Sequence, residues 1–322
     1  MNIPKLEKWY KENFRRLPWR QHKKAYPIWI SETMLQQTTS VGVLPYYEKF
    51  MKLFPTLKAL ATAPLEDVLF AWSGLGYYSR ARNLHKCAQQ VYKLGEFPKS
   101  WEELIKLPGI GPYTARAISS LTFEEKVGVL DGNVIRILSR FYNLSLPWWK
   151  ANERKQLQSI VDQLAQQGTP SIVNQALMEL GATICRPKNP YCHLCPMAKN
   201  CQSSLKGTQN ELPLKKPKRQ NEYWEWKVEL HQKNNKIALI KNDYLPFLKG
   251  QWVFPGSAVK KKKAPIHFHV KHNITHHEIY MKIIKTSKTP SQNEKVKWVT
   301  RQNLAKINPS SLLQKALHAD LL

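Results

Sequence analysis

Leu107-Pro108-Gly109-Ile110-Gly111-Pro112-Tyr113-Thr114-Ala115 is the stretch from which the fold of this chain is read. Two glycines one residue apart, followed by a proline suited to the first position of a helix, predict a helix, a tight hairpin and a second helix. Gly109 and Gly111 let backbone N–H groups approach a ligand closely. The N–H groups at the start of the second helix favour an anion there. An ordinary tight turn between two helices has the same local pattern, so the rest of the chain must separate the two readings.

Charge is the first discriminator. The 322 residues carry 50 Lys and Arg against 23 Asp and Glu, a net charge of +27. Such an excess implies a polyanionic partner, with nucleic acid the leading class and a merely basic surface the plainer alternative. On this chain the hairpin's anion is then a DNA phosphate. Membrane classes are disfavoured, because no stretch is long and apolar enough to span a bilayer and no basic amphipathic anchor or lipidation motif occurs. The N-terminus, MNIPKLEKWYKENF, lacks an apolar run of signal-peptide length, so a cytoplasmic chain is expected. At 42% apolar, a chain of this length can bury two ordinary cores.

About twenty residues beyond the hairpin lies Val129-Leu130-Asp131-Gly132-Asn133-Val134. Val134, Ile135, Leu138 and Phe141 recur at helical spacing, which makes Asp131 an N-cap. A carboxylate at that helix mouth also faces whatever the hairpin holds, and capping is compatible with catalysis. Further on, Cys185, Cys192, Cys195 and Cys201 form C-x6-C-x2-C-x5-C in a chain with only one other cysteine, Cys87. Reduced, clustered thiols point to a metal more than to cross-links. Their basic neighbours, Arg186, Lys188, Lys199 and Lys206, favour the thiolate form. Zinc and iron–sulfur clusters both accept four thiolates. Only Cys192 and Cys195 form a short knuckle, and the wider reach to Cys185 and Cys201 favours a [4Fe–4S] cubane.

Composition divides the chain. Residues 1–204 read as helical: Leu57 to Trp72 and Leu84 to Leu94 repeat apolar residues at three- and four-residue spacing. Thr56 and Ser100 are candidate N-caps, the second with Glu103 in capping-box spacing. Residues 205–221, LKGTQNELPLKKPKRQN, are polar, basic and twice broken by proline, and read as a linker. Residues 222–322 turn strand-like at Trp224–Leu230, Lys236–Ile240, Ile266–Val270, Glu278–Ile284 and Val296–Val299, with Pro309–Leu322 a closing helix. Trp252-Val253-Phe254-Pro255-Gly256 reads as a strand ending in a turn.

The order of hairpin, fixed-spacing aspartate and cysteine motif resembles the endonuclease III superfamily of helix-hairpin-helix DNA glycosylases. Leu17-Pro18-Trp19-Arg20, Ser31-Glu32-Thr33-Met34-Leu35-Gln36-Gln37-Thr38 and Gly74-Leu75-Gly76-Tyr77-Tyr78-Ser79-Arg80-Ala81-Arg82-Asn83-Leu84 are similar to signatures of its MutY branch, the adenine DNA glycosylases. Together these motifs are highly specific and cover roughly residues 4–204. The resemblance implies a mainly α fold: a two-lobed helix-hairpin-helix glycosylase domain with an iron–sulfur cluster loop, followed by a smaller α/β, Nudix-like domain. It implies a monomer acting on double-stranded DNA that contains adenine mispaired with 8-oxoguanine or guanine, in a cytoplasmic, nucleoid-associated setting.

The same resemblance implies roles. Glu32 matches the general acid that protonates adenine, and Asp131 the carboxylate that stabilises the developing sugar cation, with Tyr113 and Asn133 bonding within the site. Tyr113 stands where bifunctional relatives carry a lysine nucleophile; a tyrosine forms no imine, so strand-nicking activity is expected to be weak or absent. Glu179 and Arg20 match contacts to the flipped base. Gln36 and Tyr77 match side chains inserted into the duplex. Thr275 and His276 resemble the loop that reads 8-oxoguanine, where the family pattern is Phe-Ser-His and this chain has Ile274-Thr275-His276. Ile274 cannot stack as an aromatic ring does. The histidines of this region, from His267 to His277, read more readily as surface groups near phosphate than as metal ligands. Lys260 to Lys263 read as a solvated loop tip, and Arg116 as either a phosphate contact or a solvated side chain. The segment lacks the glutamate-rich helix of a nucleotide-hydrolysing Nudix domain. Two alternatives remain: a glycosylase of another specificity, for mismatched thymine or oxidised pyrimidine, and a non-catalytic iron–sulfur DNA-binding protein.

Overall fold

The computed structural model describes every residue except 37, 218, 287–289, 291–295, 309 and 320–322. The chain divides into two compact units, Met1–Pro217 and Lys218–Leu322. The first is helical: α1 (Ile3–Asn13), α2 (Ala25–Leu35), α3 (Ser40–Leu53), α4 (Leu57–Thr62), α5 (Leu65–Ala71) and α6 (Ser79–Leu94) come first. They are followed by α7 (Trp101–Leu104), α8 (Pro112–Phe123), α9 (Gly132–Phe141), α10 (Ala151–Gln166), α11 (Pro170–Thr183) and α12 (Gln202–Lys206). Asn2, Thr39, Thr56 and Ser100 cap α1, α3, α4 and α7, each side chain accepting a backbone N–H that helix geometry would leave unpaired. Pro64 splits the apolar run Leu57–Trp72 into α4 and α5.

Two apolar cores lie inside this unit. One joins Trp29 and Ile30 of α2 to Phe50, Leu60, Trp72, Leu84 and Ile118. The other joins Ile3, Leu6 and Tyr10 of α1 to Val134, Leu138, Leu157, Val161 and Leu177, so the first helix packs against the last ones. The hairpin between α7 and α8 is tight. Gly109 has φ +76°, and a Cβ there would lie 2.6 Å from the Cβ of Asn83 on α6, so a side chain would strain the backbone and strike the neighbouring helix. Arg116, read as solvated or phosphate-facing, is used internally: its Nη1 donates to Asp162 Oδ1 at 2.6 Å and its guanidinium lies 4.4 Å from the Trp101 ring.

The second unit contains β1 (Glu222–Lys233), β2 (Lys236–Lys241), β3 (Trp252–Val253), β4 (Gly256–Lys261), β5 (Val270–Ile274), β6 (His277–Thr286) and β7 (Val296–Thr300), with α13 (Leu304–Ile307) and α14 (Ser311–Ala319). Strand order is β3-β2-β1-β6-β5, with β4 also on β1 and β7 on β2. β1 and β6 run parallel from Glu222↔His277 to His231↔Thr286, and the other pairings are antiparallel. Trp226, Val228 and Leu230 alternate inward on β1 and meet Ile279, Met281 and the α14 residues Leu312, Leu313 and Ala316.

Two expectations fail here. The alternation Ile266, Phe268, Val270 suggested a strand, but Ile266 is 85% exposed and the strand begins only at Val270. Conversely, β4 has no buried side chains to mark it, because it pairs only with β1 and points most of its residues to solvent. Lys260 and Lys261 therefore belong to a strand rather than a loop tip, and Lys260 Nζ pairs with Glu222 at 2.8 Å. Of the closing helix, 309 and 320–322 lie outside the described residues.

Candidate active site

A cavity of about 910 Å³ opens where the two helical cores meet; Met178 packs against both and lines it. Arg20, Glu32, Gln36, Tyr113, Asp131 and Asn133, remote in sequence, all reach its wall. Each comes from a different structural constraint. Arg20 ends the short turn Pro18–Arg20, Glu32 lies in α2, Tyr113 opens α8 just past the hairpin, and Asp131 caps α9.

Helix α2 is apolar around most of its circumference and buries Tyr26, Ile28, Trp29, Ile30 and Met34 together with Glu32. Glu32 is 5% exposed, and an ionised carboxylate in such a place is costly. Burial pushes its carboxyl up to about 7; a hydrogen bond from Tyr113 and the charge of Arg20 pull the other way, while the charge of Asp131 pushes further up. Tyr113 Oη donates to Glu32 Oε2 at 2.7 Å. No protein donor among the described residues bonds Oε1, which leaves that oxygen free to carry a proton. Burial holds the Tyr113 hydroxyl far above its ordinary range, so it remains a donor.

Asp131 has extended backbone and caps α9 through Oδ1, which accepts from the Val134 N–H at 2.7 Å; Oδ2 accepts from Asn133 Nδ2 at 2.8 Å. Burial raises its carboxyl, and these two bonds and Arg136 oppose the rise by favouring the anion. Two carboxyls in one cavity therefore have different environments. One is held by a single tyrosine in an apolar helix, the other by a helix mouth.

The helix that presents Asp131 also grips the cysteine loop. Arg136 Nη2 donates to Asn133 Oδ1 at 2.8 Å and to Gly181 O at 2.7 Å, and its Nε donates to Cys185 O at 2.7 Å. Arg140, one turn on, bonds the carbonyls of Arg186, Pro187 and Leu212, and its Nη1 lies 3.4 Å from Cys185 Sγ. Close approach of α11 to α9 needs Gly181, where a Cβ would lie 2.5 Å from that of Asn133. No role was assigned to Arg136 or Arg140 from the sequence. The available signal was two arginines four apart on the otherwise apolar face of α9, which sits oddly with a solvated role.

Cys185, Cys192, Cys195 and Cys201 are free thiols, half-buried on one loop, with Arg140 already supplying a donor to sulfur. Burial pushes the Cys195 thiol up to about 11, against the expectation drawn from basic neighbours, so a metal must displace the proton there. The four fit a thiolate-bound group. Among the described residues no three of their sulfurs lie within 4.8 Å of one another.

Other expected residues fall around this centre. Glu179 does not line the cavity: it is wholly buried behind it, its carboxylate bound by Arg15 Nε at 2.6 Å, Arg15 Nη2 at 3.0 Å and Arg20 Nη1 at 2.8 Å. Both arginines line the cavity, so Glu179 bears on it through Arg15 and Arg20. Gln36 follows the last turn of α2 and reaches Thr114 Oγ1 at 3.5 Å; residue 37 of the same motif lies outside the described residues. Tyr77 is absent from the cavity wall, yet it is half exposed and held at φ +49°, a strained backbone for an aromatic residue. Arg80 ties the two together. Its Nη1 donates to the carbonyls of Thr33 and Gln36 at 2.9 Å each, its Nη2 to Leu75 O at 3.2 Å, and its guanidinium lies 5.5 Å from the Tyr77 ring. Gly109 and Gly111 form the hairpin turn leading to Tyr113. Thr275 and His276 lie in the second unit, at the turn between β5 and β6.

Residues 30–166 match the model of the HhH-GPD superfamily of base excision DNA repair proteins. The chain is 40% identical over 251 residues to the adenine DNA glycosylase of Buchnera aphidicola subsp. Acyrthosiphon pisum, covering 77% of this chain and 71% of that one. It is 36% identical over 323 residues to that of Buchnera aphidicola subsp. Baizongia pistaciae, covering 92% and 90%. Among solved structures, a thermostable thymine-DNA glycosylase aligns with TM-score 0.58 and 28% identity over 63% of this chain and 95% of that one.

Proposed function

Since the chain belongs to the adenine DNA glycosylases of the HhH-GPD superfamily, and so removes adenine in base excision repair, we propose that it does so by monofunctional hydrolysis of adenine mispaired with 8-oxoguanine or guanine. The observation that carries the mechanism is the pair Glu32 and Asp131 on one cavity wall: burial raises both carboxyls, to about 7 at Glu32, while the Val134 N–H, Asn133 and Arg136 oppose the rise at Asp131. In this reading adenine is flipped out of the duplex into the cavity. Glu32, oriented by Tyr113, gives its proton to the departing base. Asp131 stabilises the sugar cation that grows as the bond breaks, and water completes the displacement. Asn133 keeps the Asp131 carboxylate aligned, and Glu179 holds Arg20 at the base pocket.

Outside the cavity, the Gly109–Gly111 hairpin takes a DNA phosphate at the start of α8. Gln36 and Tyr77, held in register by Arg80, fill the space the flipped adenine leaves. The second unit acts as a Nudix-like lesion reader, with Thr275 and His276 addressing 8-oxoguanine. The test is release of adenine from 8-oxoguanine:A, G:A and T:A duplexes. Strand breaks at the first two after alkali treatment, and none at T:A, support the reading; equal cleavage of all three removes the mispair assignment. Because Tyr113 offers no amine, borohydride is expected to trap no covalent DNA adduct, and robust trapping would count against a monofunctional enzyme.

Cys185, Cys192, Cys195 and Cys201 would hold one [4Fe–4S] cluster. Among the described residues no three of their sulfurs lie within 4.8 Å of one another, whereas tetrahedral zinc with bonds of about 2.3 Å needs all four about 3.8 Å apart, which supports the larger group. When bound, the cluster would supply folding energy and a fixed basic loop rather than a bond-breaking step. Arg136 and Arg140 carry that rigidity to Asn133 and the mouth of α9. Cys195→Ser is expected to abolish the visible chromophore and weaken DNA binding more than tenfold, while adenine release from DNA already bound changes less. A variant that keeps full affinity would exclude a structural cluster at these residues.

A further inference from the structure

In the second unit, Glu222 opens β1 directly beside His277, the first residue of β6, and His276 precedes it in the turn. Their ligand atoms lie within 4.8 Å of one another, and among the described residues no other three His, Cys, Asp or Glu side chains do so. We propose that Glu222, His276 and His277 form a site for one zinc-class divalent ion, separate from the four cysteines.

The arrangement has the features of a built site. Glu222 Oε2 lies 3.3 Å from His277 Nδ1 and 4.0 Å from His276 Nε2. Tetrahedral zinc with bonds of about 2.0–2.1 Å sets its ligands about 3.3 Å apart, so one distance already fits and the other needs a small closure. His277 Nδ1 is buried and makes no hydrogen bond among the described residues, although it faces the carboxylate. A buried polar atom with no well-aligned hydrogen bond is costly, and a cation between it and the carboxylate would remove the cost. The His277 ring sits 6.3 Å from Trp224 and 6.0 Å from Phe247, which fixes its direction.

His276 is oriented by its neighbour. Thr275 Oγ1 donates to Ile274 O at 2.7 Å and lies 3.3 Å from His276 Nδ1, so it accepts from an Nδ1–H. That tautomer leaves the Nε2 lone pair toward Glu222, the state a metal ligand needs. The carboxylate is likewise held: Lys260 Nζ takes Oε1 at 2.8 Å and the Trp224 indole N–H donates to Oε2 at 3.2 Å. Two imidazole nitrogens and one carboxylate oxygen suit zinc or its neighbours, with water in the fourth position. A bound ion would pin the Thr275–His276 turn to β1 and occupy His276, leaving the lesion contact proposed above to Thr275. None of the three residues follows a metal-binding spacing in the sequence, since Glu222 lies 54 positions before His276 and meets it only through strand pairing.

Calorimetric titration of the full chain, cysteine cluster loaded, with Zn²⁺ alone tests this. Wild type is expected to take up one equivalent more than Glu222→Gln or His277→Gln, whereas His267→Gln, at an exposed position, should match wild type. The same ion should raise the melting temperature of wild type and not that of the two variants, which also reports whether each variant folds. Equal stoichiometry and equal thermal response in wild type and both variants would overturn the site.

Discussion

Glu32→Gln is expected to lower single-turnover adenine release by about 10²–10⁴-fold, the range for removing a general acid, while leaving DNA affinity within about threefold of wild type. The amide keeps the shape of the side chain and still accepts from Tyr113, so packing in α2 survives. What disappears is the proton. The same variant should be more stable than wild type at alkaline pH. A carboxyl raised to about 7 in the fold, against an ordinary value near 4.5, binds more protons folded than unfolded across that interval. Its contribution is therefore intact below pH 4.5 and lost as pH rises to about 7. At about 1.4 kcal/mol per pH unit, the difference is on the order of 3 kcal/mol. Thermal unfolding at pH 5 and pH 8 measures it; a wild type that gains stability over the variant between those values would contradict the burial argument. The site thus trades stability for a proton held at neutral pH.

Asp131→Asn is expected to cost about 10²–10³-fold in the same assay, the range for losing one charge aimed at a developing transition-state charge. Asparagine caps helices as well as aspartate, so Oδ1 still serves the Val134 N–H and the fold should persist. The second oxygen becomes an NH2 facing Asn133 Nδ2, donor against donor, and Arg136 on the Asn133 carbonyl hinders the flip that would relieve it. A destabilisation of about 1 kcal/mol is expected from that lost bond. If the melting temperature collapsed with the rate, Asp131 would be a cap before it is a catalyst.

The two positions show what a sequence can reveal. Asp131 was legible as a cap because the apolar spacing of α9 and the residue before it are local signals. Its catalytic meaning came from resemblance, since nothing local says which cavity a helix mouth faces. Glu32 was less legible still. In an apolar run a single glutamate reads as a solvated edge, and only the packing of α2 on all sides turns it into a buried acid. Arg136, Arg140 and Arg80 were missed because their partners are backbone carbonyls of distant segments, and a carbonyl leaves no trace in residue type. Glu179 shows the converse. The motif suggested a base contact, and its two arginine partners, which come from the start of the chain, left no local signal beside it. In the second unit, alternation found the core strands but failed at Ile266, whose period-two pattern meets no core, and at β4, whose outward face has no pattern.

The central claim is that Glu32 supplies the proton that releases adenine. The most direct test is the single-turnover rate of adenine release from saturating 8-oxoguanine:A duplex, measured from pH 6 to pH 9. A rate that is level below pH 7 and falls about tenfold per unit well above it, with the fall absent from the residual rate of Glu32→Gln, is the predicted result. A wild-type rate unchanged between pH 7 and pH 9 would contradict it.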